Sequence, residues 1–280
     1  MAVSFLLNPA VLGEYFYTHD GMFHADEVVA KIFLELYLGR HFWGTIRTRD
    51  KNILAEAAAK LNAWIVDVTG ELDPDNRILD HHQDADLSSA AGLVWYYFLR
   101  NKVDNEVAIH IDSFVAAIDN WDTNSGFIQE WYNTQPQLNG FINVSQIVAG
   151  FNRNIGNPKE QDQAFYEAYL FCFEIVKNVF YAAEEKAKSE REYNMRTILG
   201  NNVAVFENFS NVWKYKGHHQ FAIMPHPSGW QLQSASTQIA VIPEDIANIE
   251  GFVFRHMSGF IAVSSDKIAL IEYASKLRAY

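Results

Sequence analysis

The chain opens with hydrophobic positions that switch repeatedly between two periods. The segment EYFYTH (14–19) has the aromatic content of a short strand, and ADEVVAKIFLELYL (25–38) then sets apolar residues at helical spacing. The unit recurs, with WGTIRTR (43–49) reading as a strand, KNILAEAAAKLN (51–62) as a helix and NAWIVDVTG (62–70) as a strand before the turn-forming ELDPDN (71–76). Strands alternating with helices predict a parallel α/β sheet. After ILD (78–80) helical spacing takes over: SSAAGLVWYYFLRN (88–101) with Ser88 and Ser89 as caps, EVAIHIDSFVAAIDNWD (106–122), VSQIVAGFN (144–152), and a long helix over 158–195 with Pro158 near its first turn. From Arg196 the pattern breaks into short strand-like pieces, NVAVFEN, HQFAIMPHP, WQLQSAS, GFVFRH and GFIAVSS. The expected fold is α/β, with an N-terminal parallel-sheet domain and flanking helices over 1–190 and a smaller C-terminal α+β domain over 196–280.

Composition agrees with two packed domains, since 280 residues exceed one ordinary domain and 49% hydrophobic residues suffice for cores. The N-terminal stretch has no basic region, and no window reaches the roughly 20 apolar residues of a membrane span. Cys172 is the sole cysteine, which excludes an internal disulfide and leads us to expect a cytoplasmic protein. A net charge of −12 argues against long-range attraction to a nucleic-acid backbone but not against a nucleotide held locally, because metal ions would neutralise acids at a site.

Histidines and acids gather where the pattern puts the carboxyl ends of strands, the edge at which open α/β sheets bind ligands. They are His19, His24, Asp26, Asp67, the triplet Asp80-His81-His82, and Asp119 in AAIDNWD. Imidazole with carboxylate suits manganese, iron, cobalt or zinc better than magnesium alone. Singly each has an ordinary alternative: Asp67 as a cap or turn residue, Asp119 as half of an ion pair. The triplet is harder to explain as packing. Two ions about 3.5–4 Å apart need a shared carboxylate, and a strand-end aspartate such as Asp67 is a sensible bridge.

The runs THDGMFHADE (18–27), IRTRD (46–50), VDVTGELDPDNRILDHHQ (66–83), LSSAAGLVW (87–95) and AIDNWD (117–122) resemble the DHH phosphoesterase superfamily, and within it the Myg-one exonuclease family most. GFVFRHMSGFIA (251–262) is similar to that family's C-terminal histidine motif. The resemblance implies a catalytic N-terminal domain, a substrate-binding C-terminal domain, and two divalent ions, with Mn2+ the first choice. It implies His19, His24, Asp26, Asp67, His81 and Asp119 as ligands, with Asp67 bridging, His82 facing the substrate and Asp80 orienting its neighbours. His24-Ala25-Asp26 stands where many superfamily members have Asp-x-Asp, and Trp121 and Asp122 depart from the family pattern.

Arg47 and Arg49 alternate along a strand end and suit bidentate phosphate contacts; pairing with Asp50 or another acid is the alternative. Arg255, His256, Ser258 and Gly259 could close over substrate, with Gly259 allowing close backbone approach. His218, His219 and His226 read as an exposed hairpin sooner than as a second metal site, and Phe165, Tyr169, Phe173 and Phe180 as core. The expected function is a metal-dependent phosphodiesterase or exonuclease on a nucleotide or short oligonucleotide. The alternatives are a small-molecule phosphatase or inorganic pyrophosphatase, and a catalytically silent nucleotide-binding module. Association as a homo-oligomer is compatible with all of these.

Overall fold

The computed structural model describes residue 5 and residues 13–134, 142–153, 156–200 and 202–277. The chain divides into two compact units, Met1–Ala183 and Glu184–Tyr280.

The first unit holds a five-stranded sheet of β1 (Tyr15–Thr18), β2 (Gly44–Arg47), β3 (Ala63–Val66), β4 (Leu72–Asp73) and β5 (Ile78–Leu79), in the order β2-β1-β3-β5-β4. All pairs are parallel except β4 with β5. The short antiparallel β4 was not legible in the sequence, because ELDPDN reads simply as a turn. Helix α1 (Ala25–Leu38) begins after His24, whose backbone N–H donates to the Glu27 carboxylate at 2.9 Å, and stops at the left-handed Gly39. Every residue from Ala25 to Leu36 is buried, so α1 is a core helix instead of an amphipathic surface one. Helix α2 (Lys51–Ala58) is capped by Asp50, whose side chain accepts from the N–H groups of Asn52 and Ile53, and lays Leu54 and Ala57 on Tyr17, Ile65 and Ile78 of the sheet.

The expected helix over 88–101 is observed in pieces. Helix α3 (Ala90–Val94) widens into a π-type turn over Trp95–Leu99 and tightens over Arg100–Lys102. Trp95 Nε1 and the Arg100 guanidinium converge on Asp112 of α4 (Asn105–Thr123), at 2.8 and 2.9 Å. Helices α5 (Ser125–Thr134), α6 (Val144–Ala149) and α7 (Pro158–Met195) follow, and the division between the units falls within α7.

The second unit is built on a six-stranded sheet in the order β10-β11-β9-β8-β7-β6, comprising β6 (Thr197–Leu199), β7 (Val203–Val205), β8 (Phe221–His226), β9 (Gly229–Ser234), β10 (Phe252–Arg255) and β11 (Ile261–Ser264). Its pairs are antiparallel except β7 with β8. Side chains alternate across it: Val203, Phe221 and Ile223 pack with Leu270 of α9 (Lys267–Ala274), while Ala204, Ala222 and Met224 pack with Tyr193 and with Trp213 of α8 (Trp213–Lys216). The fold is thus mixed α/β, a parallel-containing sheet followed by a smaller α+β unit. Among the described residues, no helix is long and apolar enough to cross a membrane.

Candidate metal centre

Three strand ends of the first unit's sheet and the N-terminus of α1 point the same way. Strand β1 ends at Thr18 and delivers His19; β3 ends at Val66 and delivers Asp67; β5 ends at Leu79 and delivers Asp80, His81 and His82; and the N-terminus of α1 delivers His24, Asp26 and Glu27. Because β1, β3 and β5 are parallel neighbours, their carboxyl ends meet at one edge.

The geometry there is close and largely dry. His19 Nε2 lies 3.1 Å from Glu27 Oε1 and 3.3 Å from Asp67 Oδ2, with the His19 side chain 5% exposed. His81 Nε2 lies 3.2 Å from Asp67 Oδ1, 3.3 Å from Asp122 Oδ2 and 3.9 Å from Asp26 Oδ2. Asp67 therefore has an imidazole against each oxygen. Its φ of 61° puts a non-glycine residue in the left-handed region, a strained conformation of the kind that gathers at functional sites. The Asp67 N–H donating to Leu79 O at 2.9 Å helps to hold it there.

Donor atoms fall into four overlapping groupings, each within 4.8 Å: Asp67 with Asp80, His81 and His82; His19 with His24 and Glu27; His24 with Asp26 and Asp122; and Asp26 with Glu27 and Asp67. A cavity of about 360 Å3 opens onto them, walled by Ile118, Trp121 and Ala149. Two carboxylate oxygens, Asp26 Oδ1 and Asp67 Oδ1, are buried with no hydrogen-bond partner, the His81 contact to Asp67 lacking hydrogen-bond geometry. A buried carboxylate oxygen without a donor is costly unless a cation meets it. The set of imidazole and carboxylate donors therefore fits divalent transition ions.

Electrostatics describe the same strain. Burial, then the charges of Asp67, Glu27 and Asp122, push the Asp26 carboxyl well above the ordinary range. Burial also raises Asp122, with Asp67 adding to it. Burial by itself would raise Asp67, but the imidazoles of His19 and His81 hold it down at about 2. Burial would lower His19, yet its bonds to Asp67 and Glu27 lift it to about 10. Protons here do what a bound cation would do, relieving carboxylates that crowd together.

Within the triplet the roles separate. Asp80 Oδ2 accepts from the Gly70 N–H at 2.7 Å, and Oδ1 accepts from the His82 N–H at 3.0 Å and from its Nδ1 at 2.6 Å. With a carboxylate as its partner, Nδ1 carries the proton and Nε2 of His82 is the free nitrogen. The His82 side chain is 61% exposed, against 11% for His81.

Other expected residues lie elsewhere. Asp119 belongs to none of the four groupings. Its Oδ1 accepts from the Ser89 N–H at 3.1 Å and Oγ at 2.6 Å, which ties α4 to the start of α3. Asp122, one turn on, reaches His81 instead. Arg47 and Arg49 both hold the loop between His19 and His24: Arg47 Nη2 donates to Gly21 O at 2.6 Å, and Arg49 Nη1 donates to Asp20 Oδ1 at 2.7 Å. Arg47 also pairs with Asp162 at 3.3 Å, while Asp50 caps α2.

In the second unit Arg255 Nε donates to Ile242 O at 2.8 Å, and His256 Nδ1 lies 2.9 Å from Ser258 Oγ, within the turn from β10 to β11. A Cβ at Gly259 would stand 2.4 Å from Val241 Cγ1, so the space that glycine leaves is filled by the unit's own packing and not left for a ligand. His219 is buried and accepts from Arg196 Nε at 2.9 Å, and His218 is exposed. Neither they nor His226 enter a ligand grouping among the described residues.

Sequence reasoning missed Glu27, Asp122 and Asn152. Glu27 was legible as the third residue of a capping box. Asn152 gave no signal, although it clamps the loop by accepting from the Phe23 N–H at 3.0 Å and donating to Phe23 O at 2.7 Å from 129 positions away.

Residues 15–209 match a family model, MYG1_exonuc, described as Uncharacterised protein family (UPF0160). The chain is 26% identical to the MYG1 exonuclease of Homo sapiens over 87% of this chain and 80% of that protein. It is 23% identical to a MYG1 protein of Dictyostelium discoideum over 92% and 94% of the respective chains. With a MYG1 protein of Chlamydia pneumoniae it shares 30% identity over 55% of its length, and it spans about half, 48%, of that relative. A solved pGpG-specific phosphodiesterase from Vibrio cholerae aligns over 94% of the chain and 97% of its own at 11% identity and a TM-score of 0.32.

Proposed function

This chain belongs to the family that the MYG1_exonuc model defines, and on that premise we propose that it is a metal-dependent hydrolase of phosphate esters. The observation that carries the reading is the pair of orphaned, buried oxygens on Asp26 and Asp67 inside a cluster of imidazoles and carboxylates. The residues that would hold two divalent ions are His19, His24, Asp26, Glu27, Asp67, His81 and Asp122, with Asp67 shared between them. Mn2+ suits this mixture of nitrogen and oxygen donors. When bound, such ions supply charge stabilisation at phosphoryl oxygens and lower the pKa of water.

The chain's own residues do the rest. Asp80 fixes the tautomer of His82, whose Nε2 can then accept a proton and, once the ring is imidazolium, give it to a leaving oxygen. Asp80 is a positioning residue. Trp121, Ile118 and Ala149 wall the cavity with apolar surface and exclude bulk water from it. Arg47, Arg49 and Asn152 fix the loop that carries His19 and His24.

The name shared by the animal relatives, MYG1 exonuclease, supports a nucleotide or short oligonucleotide as substrate. One observation favours a smaller phosphate compound such as pyrophosphate: the cavity of about 360 Å3 has no lysine or arginine in its described lining. A panel of dinucleotides, short oligonucleotides, phosphomonoesters and pyrophosphate, assayed with manganese against a chelated control, tests both. Turnover of the oligonucleotides is the expected result. Turnover of pyrophosphate alone would select the second reading, and manganese binding without any turnover would leave a silent nucleotide-binding module.

A further inference from the structure

A second cavity in the first unit has the opposite chemistry. It encloses about 300 Å3 beside edge strand β2, between residues of α1 and α7, and shares no lining residue with the cavity at the metal centre. That volume sits at the lower end of the range for small-molecule sites, about 300–1,000 Å3. Its walls bring together the rings of Trp43, Tyr166 and Tyr169, the cationic groups of Lys31 and Arg47, and the exposed carboxylate of Asp162, which pairs with Arg47.

Both cations are buried, and both have donors to spare. Lys31 is 7% exposed; its Nζ donates to Glu35 Oε1 at 2.6 Å and lies 3.7 Å from the centre of the Tyr169 ring. Glu35 is occupied in turn by the Phe42 N–H, His41 Nδ1 and the Tyr169 hydroxyl. Among the described residues the ammonium thus has one acceptor for three N–H groups. The Arg47 side chain is 2% exposed, and its Nε is buried without an acceptor, although both Nη atoms are bonded. Buried donors lacking partners are uncommon in folded proteins and call for an explanation.

An aromatic cavity ordinarily attracts cations. Here the cations are built into the wall, Lys31 paired with Glu35 and Arg47 with Asp162, and it is their spare buried N–H donors that an anion would satisfy. At the rim, Trp43 and Tyr166 are 66% and 54% exposed and offer flat apolar faces to a ring. We propose that this cavity binds a small anion carrying a flat ring, with Lys31 and Arg47 taking a phosphate of the nucleoside monophosphate type and Trp43 and Tyr166 taking its base. The proposal does not rest on the hydrolytic reading, since it needs neither metal nor turnover.

The test is a calorimetric titration of the full chain, stripped with EDTA, with adenosine monophosphate, inorganic phosphate and adenosine in separate arms. The expected result is one-to-one binding of the monophosphate, with phosphate and adenosine each at least tenfold weaker. Lys31→Met should weaken monophosphate binding at least tenfold. Because that change removes the charge partner of buried Glu35 and can unfold the protein, Tyr166→Ala, which removes only a half-exposed ring, should show the same weakening with an unchanged melting curve. His82→Ala should leave binding as it was. No saturable binding, equal affinity for adenosine or for bare phosphate, full affinity in Tyr166→Ala, or loss of binding in His82→Ala would each overturn the assignment.

Discussion

Gly92 lies inside α3, where alanine is ordinarily the better helix former by about 1 kcal/mol. Here a Cβ would stand 2.5 and 2.6 Å from the two carboxylate oxygens of Asp119 and 2.6 Å from Ser88 Cβ. Asp119 would have to retreat, and its bonds to the Ser89 N–H and Oγ would go with it. Hydrogen bonds to a charged group contribute roughly 1.5–3 kcal/mol each, so losing two and gaining the helix term leaves Gly92→Ala destabilised by about 2–5 kcal/mol. Urea unfolding of the chelated protein, followed by tryptophan fluorescence, measures it. A variant as stable as the wild type would refute the packing of Asp119 against α3. On the proposed reading, Asp119→Asn should keep manganese binding, whereas Asp122→Asn, which alters the acid 3.3 Å from His81 Nε2, should lose manganese content. The reverse pattern would select Asp119, the ligand that family resemblance implies.

Asp67→Asn should cut turnover by at least about 100-fold and abolish the manganese-induced rise in melting temperature, because an amide cannot bridge two cations as a carboxylate does; a melting shift equal to that of the wild type would refute the bridge. His81→Ala should lower metal content, while His82→Ala should keep it and lose about 10²–10⁴-fold in turnover, and equal metal loss in both would remove the distinction. The chelated protein should lose stability as pH rises from 6.5 toward 10. The bonds of His19 to Asp67 and Glu27, against burial, lift its folded pKa to about 10, so its contribution is whole below 6.5 and gone above 10. A denaturation midpoint flat across that window would contradict the pairing.

The sequence by itself determined the succession of the main strands and helices of the first unit, the short β4 apart, and the residues at the strand ends. The switch between periods of two and 3.6 is local, so the β-α-β units, the long α7 and the strand-rich second unit were all legible from residue spacing. The strand ends carrying His19, Asp67 and Asp80-His81-His82 were legible for the same reason, since a parallel sheet aligns such ends whatever lies between them in the chain. Only the tertiary structure decided how the remaining acids and cations divide. Asp119 and Asp122 stand three positions apart on one helix, and no local rule says that the first meets Ser89 and the second His81. Arg47 and Arg49 were legible as an alternating pair at a strand end, but Gly21 and Asp20 as their partners depend on how β2 lies beside β1. Asn152 reaches Phe23 across 129 residues. Spacing sets the direction in which a side chain leaves the backbone; which partner it meets depends on the packing of elements far apart in sequence.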